Sequence, residues 1–92
     1  MTETLIRALT IVNRKGLHAR ASARFVSVAE AHDAHATVRR DGLEVSGDSI
    51  MGLMMLAAAQ GSVIEVETAG PEAERLIDAL EALVSGGFGE DD

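Results

Sequence analysis

A histidine set just behind a glycine-containing loop, with arginines following it, has the makings of a phosphoryl acceptor. In this chain the residue is His18, preceded by Arg14-Lys15-Gly16 and followed by Arg20 and Arg24. From Leu17 onward the apolar residues fall at helical spacing, so His18 stands at a helix start. The first turn of a helix leaves backbone N–H groups without intrahelical partners, and together with the helix dipole they form an anion site. The same positive helix end disfavours imidazolium and so favours the neutral, nucleophilic ring. After transfer, those N–H groups can hold the phosphoryl oxygens, and Arg20 or Arg24 can add charge-assisted hydrogen bonds. Taken alone, the pattern also fits an ordinary helix start with arginines nearby.

A second constellation lies at Asp48-Ser49. Both side chains offer N-cap oxygens to a short helix beginning near Ile50. Ile50, Met51, Leu53, Met54, Met55 and Leu56 cover every side of that helix, yet only one face can meet a sheet. The spacing turns Leu53 and Leu56 inward. Ile50, Met51 and Met54 are then partly exposed, a flexible apolar patch suited to several partners unless a loop covers it. His32, Asp33 and His35 read as a solvated cluster at a helix-to-strand boundary; with no third convincing ligand nearby, no metal site is expected.

The elements that must position these residues follow from periodicity. Leu5 to Val12 reads as a strand with Leu5, Leu9 and Ile11 on one parity. A helix from about His18 to Ala31 places Leu17, Ala21, Phe25, Val28, Ala29 and His32 on one face. Short strands at Thr37 to Arg39 and Leu43 to Ser46 flank Asp41-Gly42, a strong hairpin signal. The second helix is expected to end near Gln60-Gly61. Val63 to Thr68 alternates cleanly, Ile64 and Val66 against Glu65 and Glu67. Pro71 takes the first position of a last helix, with Glu72 and Glu74 at its dipole-positive end. Its stripe is Ala73, Leu76, Ile77, Leu80, Leu83 and Val84, stopped by Gly86-Gly87. The order is βαββαβα, which predicts an α+β open-faced β-sandwich: a four-stranded antiparallel sheet with three helices on one face and solvent on the other. Residues 1–87 form one domain, and residues 88–92 are expected to be a short, disordered acidic tail.

Composition narrows the function classes. The 92 residues are 47% hydrophobic with two aromatics, Phe25 and Phe88, so the core is aliphatic. A formal net charge of -7 disfavours nucleic acid and anionic membranes. An RNA-binding α+β module fails on that charge and on the lack of sheet aromatics for base stacking. Without cysteine there is no disulfide, thiolate chemistry or Cys-type zinc site. No secretory pattern and no apolar run long enough for a bilayer is visible, so a cytoplasmic location without membrane insertion is expected. The chain is expected to be a monomer needing no cofactor.

The segment Lys15-Gly16-Leu17-His18-Ala19-Arg20-Ala21 resembles the active-site signature of HPr, the histidine phosphocarrier family of the bacterial phosphotransferase system. The segment Gly47-Asp48-Ser49-Ile50-Met51-Gly52-Leu53-Met54 resembles that family's second signature, a regulatory serine at a helix start. Both stand in the family's order and spacing, and the resemblance runs from about Leu5 to Val84. It implies a phosphoryl carrier and not an autonomous enzyme. By resemblance, His18 accepts the group on Nδ1 from enzyme I, itself charged by phosphoenolpyruvate, and passes it to an enzyme IIA-type acceptor. Arg20 corresponds to the active-site arginine, and Ser49 to the serine modified by the ATP-dependent HPr kinase/phosphorylase. The helix matching residues 50–56 meets enzyme I in the family, so Ile50, Met51 and Met54 are candidate docking residues, with Leu17 and Arg24 beside His18. Ala21 stands where the family often has proline, and Asp48 where many relatives carry lysine. Both departures are similar to the nitrogen-related and alpha-proteobacterial branches. The alternative is a non-catalytic regulatory module switched at Ser49; it would not need the nucleophile, and His18 and Arg20 are both present.

Overall fold

The computed structural model describes residues 3–90. In chain order the elements are β1 (Glu3–Thr10), α1 (Ala19–Glu30), β2 (His35–Arg40), β3 (Leu43–Ser46), α2 (Ile50–Met55), β4 (Val63–Gly70) and α3 (Ala73–Ser85), followed by a single 3-10 turn (Gly87–Gly89). The strands form one antiparallel sheet in the order β1-β4-β2-β3. Register explains the core. Leu9 pairs with Ile64 and Val38 with Val66, so their side chains share one face. That face is covered by Ala21, Phe25 and Ala29 of α1, Leu53 of α2, and Leu76, Leu80 and Val84 of α3, all buried. The opposite face is open. Ile6 and Val63 are exposed there, and Arg39 pairs with Glu44, Glu65 and Glu67 at 2.7, 3.1 and 2.9 Å. The chain is the α+β open-faced sandwich its periodicity predicts.

Local chemistry accounts for most boundaries. The β2–β3 turn places Asp41 at φ 50° and Gly42 at φ 83°, the paired positive values of a type I′ hairpin. β2 begins at His35, two residues earlier than its own pattern indicates, because pairing with β4 starts at His35–Ala69. His35 is thus a strand residue, and the His32 Nδ1–H donates to the Val28 carbonyl at 2.8 Å across the end of α1. α3 starts at Ala73, after Pro71. The Glu72 backbone N–H donates to the Asp33 carbonyl, and its carboxylate accepts the Asp33 N–H, holding Glu72 out of helical geometry.

Besides Pro71, which precedes α3 where it was expected to open it, two expectations fail here. α2 stops at Met55, well short of Gly61, because Ala57 adopts φ 51° and turns the chain. The expected disordered tail is ordered through Glu90. Phe88 is 1% exposed, seated in the core cluster, and Arg24 donates to its carbonyl. The apolar ring outweighs the glycines around it: burying a phenylalanine side chain stabilises by about 2–3 kcal/mol. Asp91 and Asp92 lie outside the described residues.

At α2 the Ser49 hydroxyl accepts the Gly52 N–H at 3.0 Å, whereas the Asp48 carboxylate turns to the Ser46 hydroxyl at 2.6 Å. Ser49 is therefore the N-cap. Ser49→Ala is expected to cost about 1 kcal/mol in urea unfolding; an unchanged midpoint would show that the cap contributes nothing.

Candidate functional site

His18 occupies the N-cap of α1 with extended backbone, φ -76° and ψ -177°. The approach to it is laced tightly. The Leu17 N–H donates to the Ala58 carbonyl at 2.9 Å, Gln60 donates to the Val12 carbonyl at 3.0 Å, and the Asn13 amide donates to the Gly16 carbonyl at 2.8 Å. Gly16 sits at φ 68°, and a Cβ there would stand 2.5 Å from the Ala58 oxygen. Only glycine lets the two loops touch. Lys15, Leu17, His18 and Ala57 to Ala59 line a shallow hollow beside the ring.

The imidazole is partly exposed, 26% of its side chain, and both nitrogens are engaged. Nδ1 accepts the backbone N–H of Arg20 at 3.2 Å, so it carries the lone pair. Nε2 faces the Glu90 carboxylate, which the 3-10 turn brings back from the far end of the chain. The second Glu90 oxygen accepts from the Asn13 amide at 2.9 Å. The Asn13 amide, ahead of the His18 ring and of Lys15, holds the Glu90 carboxyl below its ordinary range, against the opposing effect of desolvation. A carboxyl lowered in this way stabilises the fold above its unfolded value, and that stabilisation is lost as pH falls through the lowered one.

The first intrahelical bond of α1 is the Ser22 N–H to the His18 carbonyl. The N–H groups of Ala19, Arg20 and Ala21 precede it and have no helical carbonyl to bind. Arg20 is exposed, and among the described residues its guanidinium makes no ion pair. A ring nitrogen with its lone pair and the Ala19 and Ala21 N–H groups stand together at an exposed helix start, with the exposed Arg20 two residues on, an arrangement able to receive and hold a phosphoryl group.

The remaining candidates divide. Ile50, Met51 and Met54 are exposed, Met51 at 73%, and exposed Met55 joins them; Leu53 and Leu56 point inward as the spacing indicates. Leu17 is a correction. At 5% exposure it belongs to the core, because its N–H bond to Ala58 draws the residue under the loop, so its side chain is not available for docking. Arg24 is exposed but spends a guanidinium N–H on the Phe88 carbonyl. Sequence reasoning missed Asn13, Glu90 and the Ala57–Ala59 loop. A lone phenylalanine in a chain with only two aromatics was the available signal for the tail; nothing local connects Glu90 to a residue so distant in sequence.

A four-stranded antiparallel sheet under three helices carries a histidine at its first N-cap. Residues 6–86 match the family described as PTS HPr component phosphorylation site. The chain belongs to this HPr family and is a phosphoryl carrier of the phosphotransferase system. It is 46% identical over 86 residues to phosphocarrier protein HPr of Cupriavidus necator, covering 94% of this chain and 97% of that protein. It is 37% identical over 89 residues to phosphocarrier protein NPr of Escherichia coli K12, covering 96% and 99%. The crystal structure of HPr from Thermoanaerobacter tengcongensis superposes with a TM-score of 0.90 at 36% identity, covering 96% of this chain and 99% of that one. No helix among the described residues is long and apolar enough to cross a membrane.

Proposed function

We propose that His18 is the phosphoryl acceptor, that it takes the group on Nδ1 from enzyme I, and that it passes it to an enzyme IIA-type protein in the cytoplasm. The observation that carries this reading is the Arg20 N–H donated to Nδ1, which requires a lone pair on that nitrogen. In transfer, Nδ1 attacks phosphorus in line; the new N–P bond forms as the donor's bond to phosphorus breaks. The Arg20 N–H then shifts from the ring nitrogen to a phosphoryl oxygen, with Ala19 and Ala21 N–H groups beside it and the Arg20 guanidinium free to add a charge-assisted bond. The test is incubation with enzyme I and labelled phosphoenolpyruvate. Wild type takes up acid-labile label and His18→Ala takes up none; label retained in His18→Ala refutes the assignment.

Ile50, Met51 and Met54 are the proposed docking patch, and Arg24, on α1, is a further proposed docking residue. The support is placement: α2 runs straight into Ala57–Ala59, which line the hollow at His18. Met54→Glu buries a charge in such an interface and is expected to slow uptake from enzyme I on the order of tenfold, about 1.4 kcal/mol, while the fold stays intact. Uptake at the wild-type rate removes the patch from the account.

Ser49 is the proposed regulatory site. Its hydroxyl caps the helix that carries the patch. A phosphate there adds about -1.5 to -2 charge beside that patch and can repel an acidic partner. The Ser49→Ala protein should take no label from HPr kinase/phosphorylase and ATP where wild type does; equal labelling of both places the modification elsewhere.

A further inference from the structure

The residue whose position the carrier reading leaves unexplained is Glu90. Its side chain is only 13% exposed, although it lies two residues from the end of the chain. It is brought to His18 by a built strap. Gly87 and Gly89 take φ 66° and 73°, Phe88 is buried between them, and Arg24 ties the Phe88 carbonyl to α1.

The hydrogen bonds around Glu90 admit one arrangement of protons. Both hydrogens of the Asn13 amide are committed, one to the Gly16 carbonyl at 2.8 Å and one to Glu90 Oε1 at 2.9 Å. The Asn13 Oδ1 is buried with no partner among the described residues. Turning the amide over would set that oxygen against two acceptors and leave the NH2 group without one, so the donor orientation stays. Glu90 Oε1 must therefore accept. Its other oxygen, Oε2, meets His18 Nε2. An ionised carboxylate only accepts, so Nε2 carries the proton. A glutamine offers a single acceptor oxygen and cannot serve both donors.

We infer that Glu90, aimed by Asn13, is a positioning residue that locks His18 in the Nε2–H tautomer and so keeps Nδ1 unprotonated for the phosphoryl group. The inference rests on the reading of Nδ1 as the acceptor atom. It assigns the ring's other nitrogen a fixed role. When the Nδ1–P bond forms and the donor's bond to phosphorus breaks, the ring keeps its Nε2 proton and gains positive charge. The carboxylate on Nε2 balances that charge, and no proton has to move in either direction of transfer. The principle is that of an acidic residue orienting an imidazole in hydrolases, where it sets tautomer and supports the imidazolium without taking the proton. Among the described residues the charged groups near the ring are Glu90 from the strap, Lys15 from the loop and Arg20 from α1, and of these Glu90 contacts it by side chain.

The test uses full-length protein with 15N-labelled histidine. At pH 9, well above the ordinary imidazole range, long-range proton–nitrogen couplings report the His18 tautomer directly. Wild type should show Nε2–H as the dominant form. Glu90→Gln and Glu90→Ala should both raise the Nδ1–H population, and uptake from charged enzyme I should fall with the reactive fraction, about tenfold if one ring in ten stays competent. A purely structural tail would leave the tautomer where it was. Unchanged tautomer and unchanged uptake in both variants, with His18→Ala still inert, would overturn the role of Glu90 and leave the acceptor assignment standing. If wild type itself took no label, the acceptor assignment would fail, and the tautomer measurement on the unphosphorylated protein would still decide for or against Glu90.

Discussion

Phe88→Ala is expected to destabilise the protein by about 3–5 kcal/mol, the usual range for emptying a buried phenylalanine site. The ring is 1% exposed and belongs to the same cluster as Leu76, Leu80 and Val84. Its backbone sits at φ 57°, a conformation that disfavours side chains, so packing must outweigh a local penalty of roughly 1–2 kcal/mol. Alanine keeps the penalty and loses the packing. For a domain of this size the loss lowers Tm by more than about 12 °C. The variant should also release Glu90 from His18, because the 3-10 turn that precedes Glu90 has no other apolar anchor among the described residues. Thermal unfolding followed by circular dichroism checks the first effect. A Tm within about 2 °C of wild type would mean that residues beyond Gly87 contribute nothing to the fold.

Gly16→Ala should be nearly as damaging, for a different reason. At φ 68° any side chain costs about 1–2 kcal/mol. The added Cβ would also stand 2.5 Å from the Ala58 oxygen and 3.0 Å from the Ala59 Cα. Neither neighbour is the loose end of a side chain, and the Leu17 N–H bond holds that same Ala58 oxygen in place. Forcing such a contact apart typically costs a further 1–3 kcal/mol, which makes about 2–5 kcal/mol in total. The displaced loop lines the hollow at His18, so phosphoryl uptake should fall beyond the loss of folded protein; misplacement by about 1 Å can cost 10²-fold. Gly42→Ala is the control. Gly42 has φ 83° and nothing within 4 Å of its missing Cβ, so only the backbone penalty applies. Denaturant titration of both variants separates the contributions. Equal losses at the two positions would show that the loop–loop contact does not matter.

The pattern of what could be read from sequence has a physical basis. The alternation of β4, the Asp41-Gly42 turn and the apolar stripes of α1 and α3 are local signals, and the structure follows them. Where position was set by distant partners, local reading failed. Ala57 takes a conformation usually left to glycine because its loop is held by Leu17, and Gly61 looked the better helix stop. Leu17 is adjacent to His18 in sequence, yet its N–H bond across to Ala58 takes it into the core. Glycines and acids surround Phe88 and Glu90, a composition that locally signals a tail. Their places depend on α1, α3 and Asn13, which no window of sequence joins to them. The histidine itself was legible because its chemistry depends on the helix start, a local feature; the carboxylate behind it was not.

The atom that carries phosphate decides how this protein works. Protein with 15N-labelled histidine, charged by enzyme I and phosphoenolpyruvate, should show one phosphorus resonance with a one-bond coupling to Nδ1 of His18 and a retained Nε2 proton. Phosphorus coupled to Nε2, or bound to any residue other than His18, would contradict it.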